Sequence, residues 1–119
     1  MNAEIIQEFQ FEAGHFLPAV PDGHACRRVH GHSYRVEVHV LGPIQPDTGW
    51  VLDFYDLEAV VQPVIDQLDH RLLNDIPGLD NPTAECIGVW IWQRLEPALA
   101  GLSCVVVWET STARAVIRG

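Results

Sequence analysis

The segment from Cys26 to His32, Cys-Arg-Arg-Val-His-Gly-His, carries residue types that bind metal ions. Its thiol precedes one imidazole by four residues and the next by six, and Gly31 alone separates the two histidines. On an extended backbone, side chains two residues apart point to the same side. His30 and His32 can therefore bind one ion together, with a reactive thiol beside them. The alternative interpretation is a pair of solvent-facing histidines near a turn.

The segments on either side of this motif alternate apolar and polar residues as strands do. One runs from Ala3 to Ala13 and the other from Ser33 to Leu41. If they pair antiparallel, the end of the first lies beside the start of the second. His15 then joins His30 and His32 on one face of the pair. Alone, His15 would be interpreted as a partly buried histidine with a hydrogen-bond partner, but the pairing favours three metal ligands.

Three imidazoles with no fourth protein ligand are typical of a catalytic zinc site with an open position. The same ligands also suit iron, copper and nickel. If Cys26 is a fourth ligand, the site is closed and its zinc is structural. If Cys26 stays free, a thiol near a cation and two arginines ionises readily and can act as a base or nucleophile. We favour the open site.

Two further positions carry titratable groups that could take part in a reaction. Asp69 and His70 follow a helical pattern, where a cationic histidine simply suits the helix dipole. The functional interpretation is a general acid whose imidazole is oriented by a carboxylate. Glu109 ends an apolar strand, and a buried carboxylate needs a partner. A guanidine-like ring edge on a ligand would bind it through two hydrogen bonds, and the alternative is a salt bridge to Arg114 or Arg118.

The rest of the pattern predicts two helices and three further strands. In the first helix, apolar residues from Leu57 to Leu68 keep helical spacing, and Pro63 inside it predicts a kink or a nearby boundary. The second helix opens at Asn81-Pro82-Thr83. His39 lies on the polar face of its strand, so we expect it to be exposed. The further strands are predicted over residues 50–53, 102–109 and 113–117. The order β-β-β-α-α-β-β is typical of an α+β protein with helices packed on a mostly antiparallel sheet.

Composition limits the class of protein. A chain of 119 residues is long enough for one domain, residues 1–119, and too short for two. Sixteen acidic residues and seven basic ones give a net charge of −9, which argues against a nucleic-acid partner. The chain has no lysine, so Schiff-base chemistry is excluded and arginines must hold any phosphates.

Cys86 and Cys104 lie in apolar stretches and are expected to be small core residues. No apolar run is long enough to span a membrane, so we expect a cytoplasmic protein without a membrane partner.

These motifs, in this order, resemble the 6-pyruvoyl-tetrahydropterin synthase family, and the resemblance covers nearly the whole chain. It is closest to the branch that makes 6-carboxy-tetrahydropterin in the bacterial queuosine (7-deazaguanine) pathway. The residues that carry it are Phe11-Glu12-Ala13-Gly14-His15, Cys26-x-x-x-His30-Gly31-His32, Gly49-Trp50-Val51-Leu52-Asp53-Phe54, Leu68-Asp69-His70-x-Leu72-Leu73-Asn74-Asp75, Asn81-Pro82-Thr83-x-Glu85 and Trp108-Glu109-Thr110.

The resemblance implies a role for each residue of the site. It implies that His15, His30 and His32 bind Zn²⁺, that Cys26 is the catalytic base, that Asp69 and His70 relay protons, and that Glu109 anchors the pterin ring or joins the relay. It also implies a tunnelling fold, in which a four-stranded antiparallel sheet carries two helices on one face. Three such sheets form a barrel, two trimers stack into a homohexamer, and the active sites lie between subunits. Asp69 and His70 of one subunit would then serve the Cys26 of its neighbour.

The activity that the resemblance implies is a zinc-dependent lyase reaction on 7,8-dihydroneopterin triphosphate. In the queuosine-pathway version, triphosphate and acetaldehyde leave and 6-carboxy-5,6,7,8-tetrahydropterin is formed. The alternatives are formation of 6-pyruvoyl-tetrahydropterin and a non-catalytic zinc-binding module in which Cys26 closes the site. The pattern assigns no role to His24, Arg27 or Arg28, and it does not select the arginines that hold the triphosphate.

Overall fold

Two long strands form the centre of the structure, a computed structural model that describes all 119 residues. β1 (Asn2–His15) and β2 (His30–Pro43) pair antiparallel over their whole length, so that His15 lies opposite His30 and Asn2 opposite Pro43. The alternation of apolar and polar residues fixes this register, because a slip by one residue would turn the core side chains of a strand to solvent.

Three shorter strands complete the sheet. β3 (Arg71–Leu72) pairs parallel with β1, β4 (Leu102–Trp108) pairs antiparallel with β2, and β5 (Arg114–Ile117) pairs antiparallel with β4. The strand order is β3-β1-β2-β4-β5. The sheet is therefore five-stranded and mixed, and the expectation of four antiparallel strands was wrong in this respect.

Two helices cover one face of this sheet. α1 (Phe54–Asp66) begins where the Asp53 carboxylate accepts the Tyr55 N–H, and α2 (Ala84–Leu95) begins where the Thr83 hydroxyl accepts the Cys86 N–H. Such caps satisfy amide groups that have no partner within a helix. The helices bury their apolar stripes against one parity of β1 and β2. Neither helix is long and apolar enough to cross a membrane.

Two local predictions failed. Residues 50–53 form bends rather than a strand, because the Trp50 carbonyl accepts the N–H of Gln45 and the segment closes a local loop. The third strand instead follows α1. Cys86, expected to be a small core residue, is exposed on α2, whereas Cys104 is buried as expected. Pro63 lies inside α1, which continues for one more turn to Asp66.

Candidate active site

The β1–β2 register brings three histidines together, as the sequence pattern predicted. His15 pairs directly with His30, and Ala13 pairs with His32, which places all three imidazoles on the helix-covered face at one end of the strands. The ring centroid of His15 lies 4.5 Å from that of His30 and 5.0 Å from that of His32. One nitrogen from each ring lies within 4.8 Å of the other two, so the group could hold a metal ion.

The hydrogen bonds of two rings fix which nitrogen carries the proton. His15 Nδ1 lies 2.8 Å from the Pro82 carbonyl, and His30 Nδ1 lies 2.7 Å from the Arg28 carbonyl. A carbonyl oxygen only accepts, so both Nδ1 atoms donate and a neutral ring keeps its lone pair on Nε2. Those two Nε2 atoms lie 2.9 Å apart. Two lone pairs at this distance repel each other unless a proton or a cation lies between them.

The third ring adds an unpaired ligand atom. His32 Nε2 is buried and has no hydrogen-bond partner, which is uncommon for a buried polar atom. Burial lowers the pKa of His15, partly opposed by the Pro82 hydrogen bond, and burial also lowers the pKa of His32 against the attraction of Glu109. Neutral imidazoles with outward lone pairs and orienting carbonyls are the usual donor set of a zinc site. The residues present therefore fit the metal.

Glu109 lies beside this cluster. It follows the last residue of β4, and one carboxylate oxygen, Oε1, lies 3.5 Å from His15 Nε2 and 3.7 Å from His32 Nε2. The alternative of a salt bridge to arginine is absent, and Arg114 instead packs over the Trp108 ring at 4.6 Å. Glu109 also lines a cavity of about 310 Å³ next to the start of α2. Glu109 thus approaches two of the histidines and also lines an open pocket.

Cys26 lies in the loop between β1 and β2, on a single 3₁₀ turn (Ala25–Arg27). Its N–H donates to His24 Nδ1 at 3.1 Å, and its carbonyl accepts the Leu17 N–H at 2.7 Å. The half-buried thiol is not part of the group that could share one ion, which consists of the three histidines alone. Arg27 holds the loop through the carbonyls of Pro18 and Val20 and through Asp22.

Asp69 and His70 form an oriented pair just after α1. Asp69 Oδ2 lies 2.9 Å from His70 Nδ1, and Asp69 Oδ1 accepts the Glu12 N–H at 2.9 Å. The bond from Glu12 and then that from His70 lower the pKa of Asp69, so it is ionised at neutral pH. His70 has a left-handed backbone with φ of 57°, which is rare outside glycine, and donates its own N–H to the Glu12 carbonyl. Within the chain, the pair makes no hydrogen bond or ion pair with Cys26 or the three histidines.

Three residues to which the sequence analysis assigned no role in the site support it. Pro82 supplies the carbonyl that orients His15, Tyr34 places its hydroxyl 3.2 Å from His15 Nδ1, and Asn74 bonds the backbone of Phe16. Asn81-Pro82-Thr83 was interpreted as a helix start and as one motif of the resemblance, without a role for the Pro82 carbonyl. The parity of Tyr34, shared with His30 and His32, was the one signal that could have placed it against the histidines.

Comparisons with known proteins agree on the family. A family model described as 6-pyruvoyl tetrahydropterin synthase matches residues 4–119. A 6-carboxy-5,6,7,8-tetrahydropterin synthase from Synechocystis is 46% identical over 93% of this chain and 89% of that protein. A dihydroneopterin monophosphate aldolase from Pyrococcus furiosus is 39% identical over 92% of this chain and 91% of that protein. The fold matches the solved 6-pyruvoyl tetrahydropterin synthase of Caenorhabditis elegans with a TM-score of 0.92, at 24% identity, over 100% of this chain and 96% of the other.

Proposed function

The chain belongs to the 6-pyruvoyl tetrahydropterin synthase family, and from this premise we propose that it is a zinc-dependent 6-carboxy-5,6,7,8-tetrahydropterin synthase. Its substrate would be 7,8-dihydroneopterin triphosphate, with release of acetaldehyde and triphosphate, in queuosine (7-deazaguanine) biosynthesis. The observation that carries the proposal is the set of three histidines whose free nitrogens converge. The Synechocystis relative supports the carboxy product. We treat residues 1–119 as one synthase domain.

In this proposal, His15, His30 and His32 hold Zn²⁺ through their Nε2 atoms and leave one position for substrate. Bound zinc is a Lewis acid that polarises the side-chain hydroxyls of the pterin. The chain prepares this site in two ways. The Pro82 and Arg28 carbonyls fix the tautomers of two ligands. Burial lowers the pKa of His15 and of His32, which favours the neutral form that binds metal.

Cys26 is the proposed base that takes a proton from the substrate side chain. Support comes from its position outside the group of three histidines, which leaves the thiol free, and from its partial exposure on a short turn. Asp69 and His70 are the proposed pair that supplies or returns a proton. The carboxylate of Asp69 holds His70 Nδ1, so the exposed ring presents Nε2 for proton transfer.

Glu109 is the proposed anchor for the pterin ring. A pterin presents two parallel N–H groups at one edge, and a carboxylate accepts such a pair as it accepts an arginine. Two observations support this role. Glu109 makes no salt bridge to an arginine, and it both lies 3.5 Å from His15 Nε2 and lines the cavity at the start of α2. A ring held there would bring its side chain toward the histidine cluster.

We also propose a homohexamer built from two trimeric barrels, with Asp69 and His70 of one subunit serving Cys26 of another. Exposed apolar side chains on the sheet, among them Ile6, Leu41 and Val116, support association through the strands. The net charge of −9 gives no support to a nucleic-acid partner.

Incubation of the zinc-loaded protein with 7,8-dihydroneopterin triphosphate, followed by mass analysis of the pterin, tests the proposed activity. A 6-carboxy-tetrahydropterin product supports it. A 6-pyruvoyl product would assign the chain to the alternative activity, whose name the family model bears. No turnover, together with a sulfur ligand in the zinc X-ray absorption spectrum, would instead indicate a non-catalytic zinc module closed by Cys26.

A further inference from the structure

The segment from Asp69 to Asn74 lies along the end of β1 and is bonded to it at successive points. Asp69 and His70 bond the N–H and the carbonyl of Glu12. Next, Arg71 and Leu72 pair in parallel with Ala13 and Gly14. The segment that carries the proposed proton-transfer pair is therefore fixed against the strand that ends in the metal ligand His15.

Asn74 continues this pairing with its side chain. The parallel register places Asn74 beside Phe16, but the backbone has by then turned into a 3₁₀ helix (Leu73–Asp75). The side-chain amide replaces the missing peptide group, because Nδ2 donates to the Phe16 carbonyl at 2.8 Å and Oδ1 accepts the Phe16 N–H at 3.0 Å. Among short side chains, only asparagine carries its donor and its acceptor on two separate atoms, as a peptide group does.

The position of Phe16 connects this amide to the reactive loop. Phe16 directly follows His15, and the next residue, Leu17, donates its N–H to the Cys26 carbonyl at 2.7 Å. The Cys26 loop thus leaves β1 at the point that Asn74 holds. The Cys26 backbone makes one other hydrogen bond, from its N–H to His24 Nδ1, and Arg27 holds the loop through the Pro18 and Val20 carbonyls. The Leu17 bond is therefore one of the few restraints on where the thiol lies.

We propose that Asn74 is a positioning residue that acts through Cys26. It holds Phe16 and Leu17 in line with the strand, and so keeps the thiol in place relative to the histidine cluster. The inference rests on the proposed role of Cys26 as the base. It adds a requirement that the histidine rings do not share, since no ring nitrogen bonds Asn74: Nδ1 of His15 lies against Pro82 and Tyr34, and Nδ1 of His30 lies against the Arg28 carbonyl.

The test is a double-mutant cycle with Asn74→Ala and Cys26→Ala in the zinc-loaded protein. Displacement of a catalytic group by about 1 Å can lower the reaction rate about a hundredfold. We therefore expect Asn74→Ala to lower kcat by about ten- to a hundredfold with KM and zinc content unchanged. In the Cys26→Ala background the same change should cost nothing further, because the residue through which it acts is gone. An equal loss in both backgrounds, a loss of zinc, or an unchanged kcat would overturn the proposal.

Gln45→Ala is the matched control. Gln45 also bonds a main-chain carbonyl through its amide, that of Val51 at 3.1 Å, but it does so in the loop that follows Pro43, at the end of β2 opposite to His30. Its kcat should match the wild type. If Asn74→Ala does not fold, Asn74→Asp keeps the shape and the acceptor for Phe16 N–H and loses only the donor, and a selective fall in kcat is expected there. Unfolding of both variants would make Asn74 a fold residue and overturn the proposal.

A second readout separates this inference from the proposed function. The rate at which iodoacetamide alkylates each cysteine is followed by peptide mapping, with the exposed Cys86 on α2 as an internal control. Asn74→Ala should change the Cys26 rate severalfold and leave the Cys86 rate unchanged. If the wild type turns over no pterin triphosphate, the proposed function fails while this comparison still decides the role of Asn74. An unchanged Cys26 rate would overturn the inference even where the wild type is active.

Discussion

His15 and His30 face each other across the β1–β2 pair with their Nε2 atoms 2.9 Å apart. Each ring is tied at Nδ1 to a main-chain carbonyl, so neither can rotate its lone pair away without breaking a hydrogen bond in or near a buried site. The arrangement is costly for two neutral rings alone and favourable around a cation. We take this as the physical reason why the folded histidine cluster fits a metal ion.

His30→Ala should lose zinc. Only two imidazoles remain. Loss of a residue that merely orients a ligand typically lowers metal affinity about ten- to hundredfold, and loss of a ligand itself should lower zinc affinity by more. The measurement is zinc content of the purified variant. His70→Ala removes an exposed imidazole outside the cluster and should keep one zinc per chain. Stoichiometric zinc in His30→Ala would contradict the three-histidine assignment.

Tyr34→Phe should keep zinc and lose a little stability. The buried Tyr34 hydroxyl lies 3.2 Å from His15 Nδ1, but that nitrogen already donates to Pro82 at 2.8 Å. Burial raises the pKa of Tyr34, so the hydroxyl stays neutral and adds no charge to the site. Loss of one buried hydrogen bond costs about 1 kcal/mol in the free energy of unfolding. Zinc affinity and denaturant unfolding check this, and a drop in affinity beyond tenfold would make Tyr34 the partner that orients His15.

The histidine cluster could be predicted from the sequence, because alternation within a strand and the antiparallel pairing of two consecutive strands are enough to place its three side chains on one face. His15, His30 and His32 converge for the same reason that Phe11 stacks on Tyr34 at 4.7 Å. Alternation also predicted the two long strands, and helical spacing of apolar residues predicted α1. Contacts between residues that are distant in the sequence leave no periodic pattern along the chain. The two-residue strand Arg71–Leu72 forms only because the edge of β1 is there to pair with it, and no periodicity can be read in two residues.

His39 is a second residue whose surroundings could not be predicted from its own strand. Its parity on β2 placed it on the polar face, and we expected it to be exposed, whereas its side chain is 13% exposed. It lies between two carboxylates, 2.9 Å from Glu4 and 3.1 Å from Glu37. Glu37 also accepts the Trp108 Nε1–H. A polar face predicts contact with solvent, but partners from neighbouring strands can cover it, and a single strand does not reveal them.

Glu37→Gln should destabilise the protein at neutral pH and not in acid. Burial raises the pKa of Glu37, but hydrogen bonds from Trp108 and His39 outweigh it and hold that pKa below its usual 4.5. A lowered carboxyl pKa stabilises the fold above the unfolded value, and that stability is lost as the pH falls through the folded pKa. We expect a cost of about 1 kcal/mol at pH 7, after allowance for solvent screening.

The check on Glu37→Gln is denaturant unfolding as a function of pH. The difference from wild type should shrink as the pH falls below 4.5. Glu58→Gln is the control, because Glu58 is exposed on α1 without an ion pair or side-chain hydrogen bond, and it should stay within experimental error of the wild type. A difference that is constant with pH would show that Glu37 acts through shape rather than charge.

The protein should sediment as an oligomer. The sheet ends at β5 on one side and at the two-residue β3 on the other, and it exposes apolar side chains such as Ile6 and Val116. Unpaired strand edges with apolar neighbours favour association. Sedimentation velocity at micromolar concentration should give a species several times the 13.3 kDa of one chain. A stable monomer would refute both the hexamer and the shared active site.

Cys26→Ala separates the enzyme from the zinc module. If Cys26 is the base, the variant keeps zinc, fold and pterin binding, because none of these needs the thiol, and turnover falls by about a hundred- to ten-thousandfold. If Cys26 is a fourth ligand, the same change weakens zinc binding and lowers the melting temperature, since structural zinc contributes directly to folding.

The geometry favours the first outcome for Cys26→Ala. The group able to share one ion consists of three histidines, and Cys26 lies outside it on a turn tied to Leu17 and His24. Zinc content, melting temperature and turnover should be measured on one preparation, with Cys86→Ala as the control for loss of a thiol. Cys86 is exposed on α2, so its removal should leave all three unchanged. Zinc loss together with a large fall in melting temperature in Cys26→Ala would refute the role of base, because a thiol that only transfers a proton does not coordinate the metal.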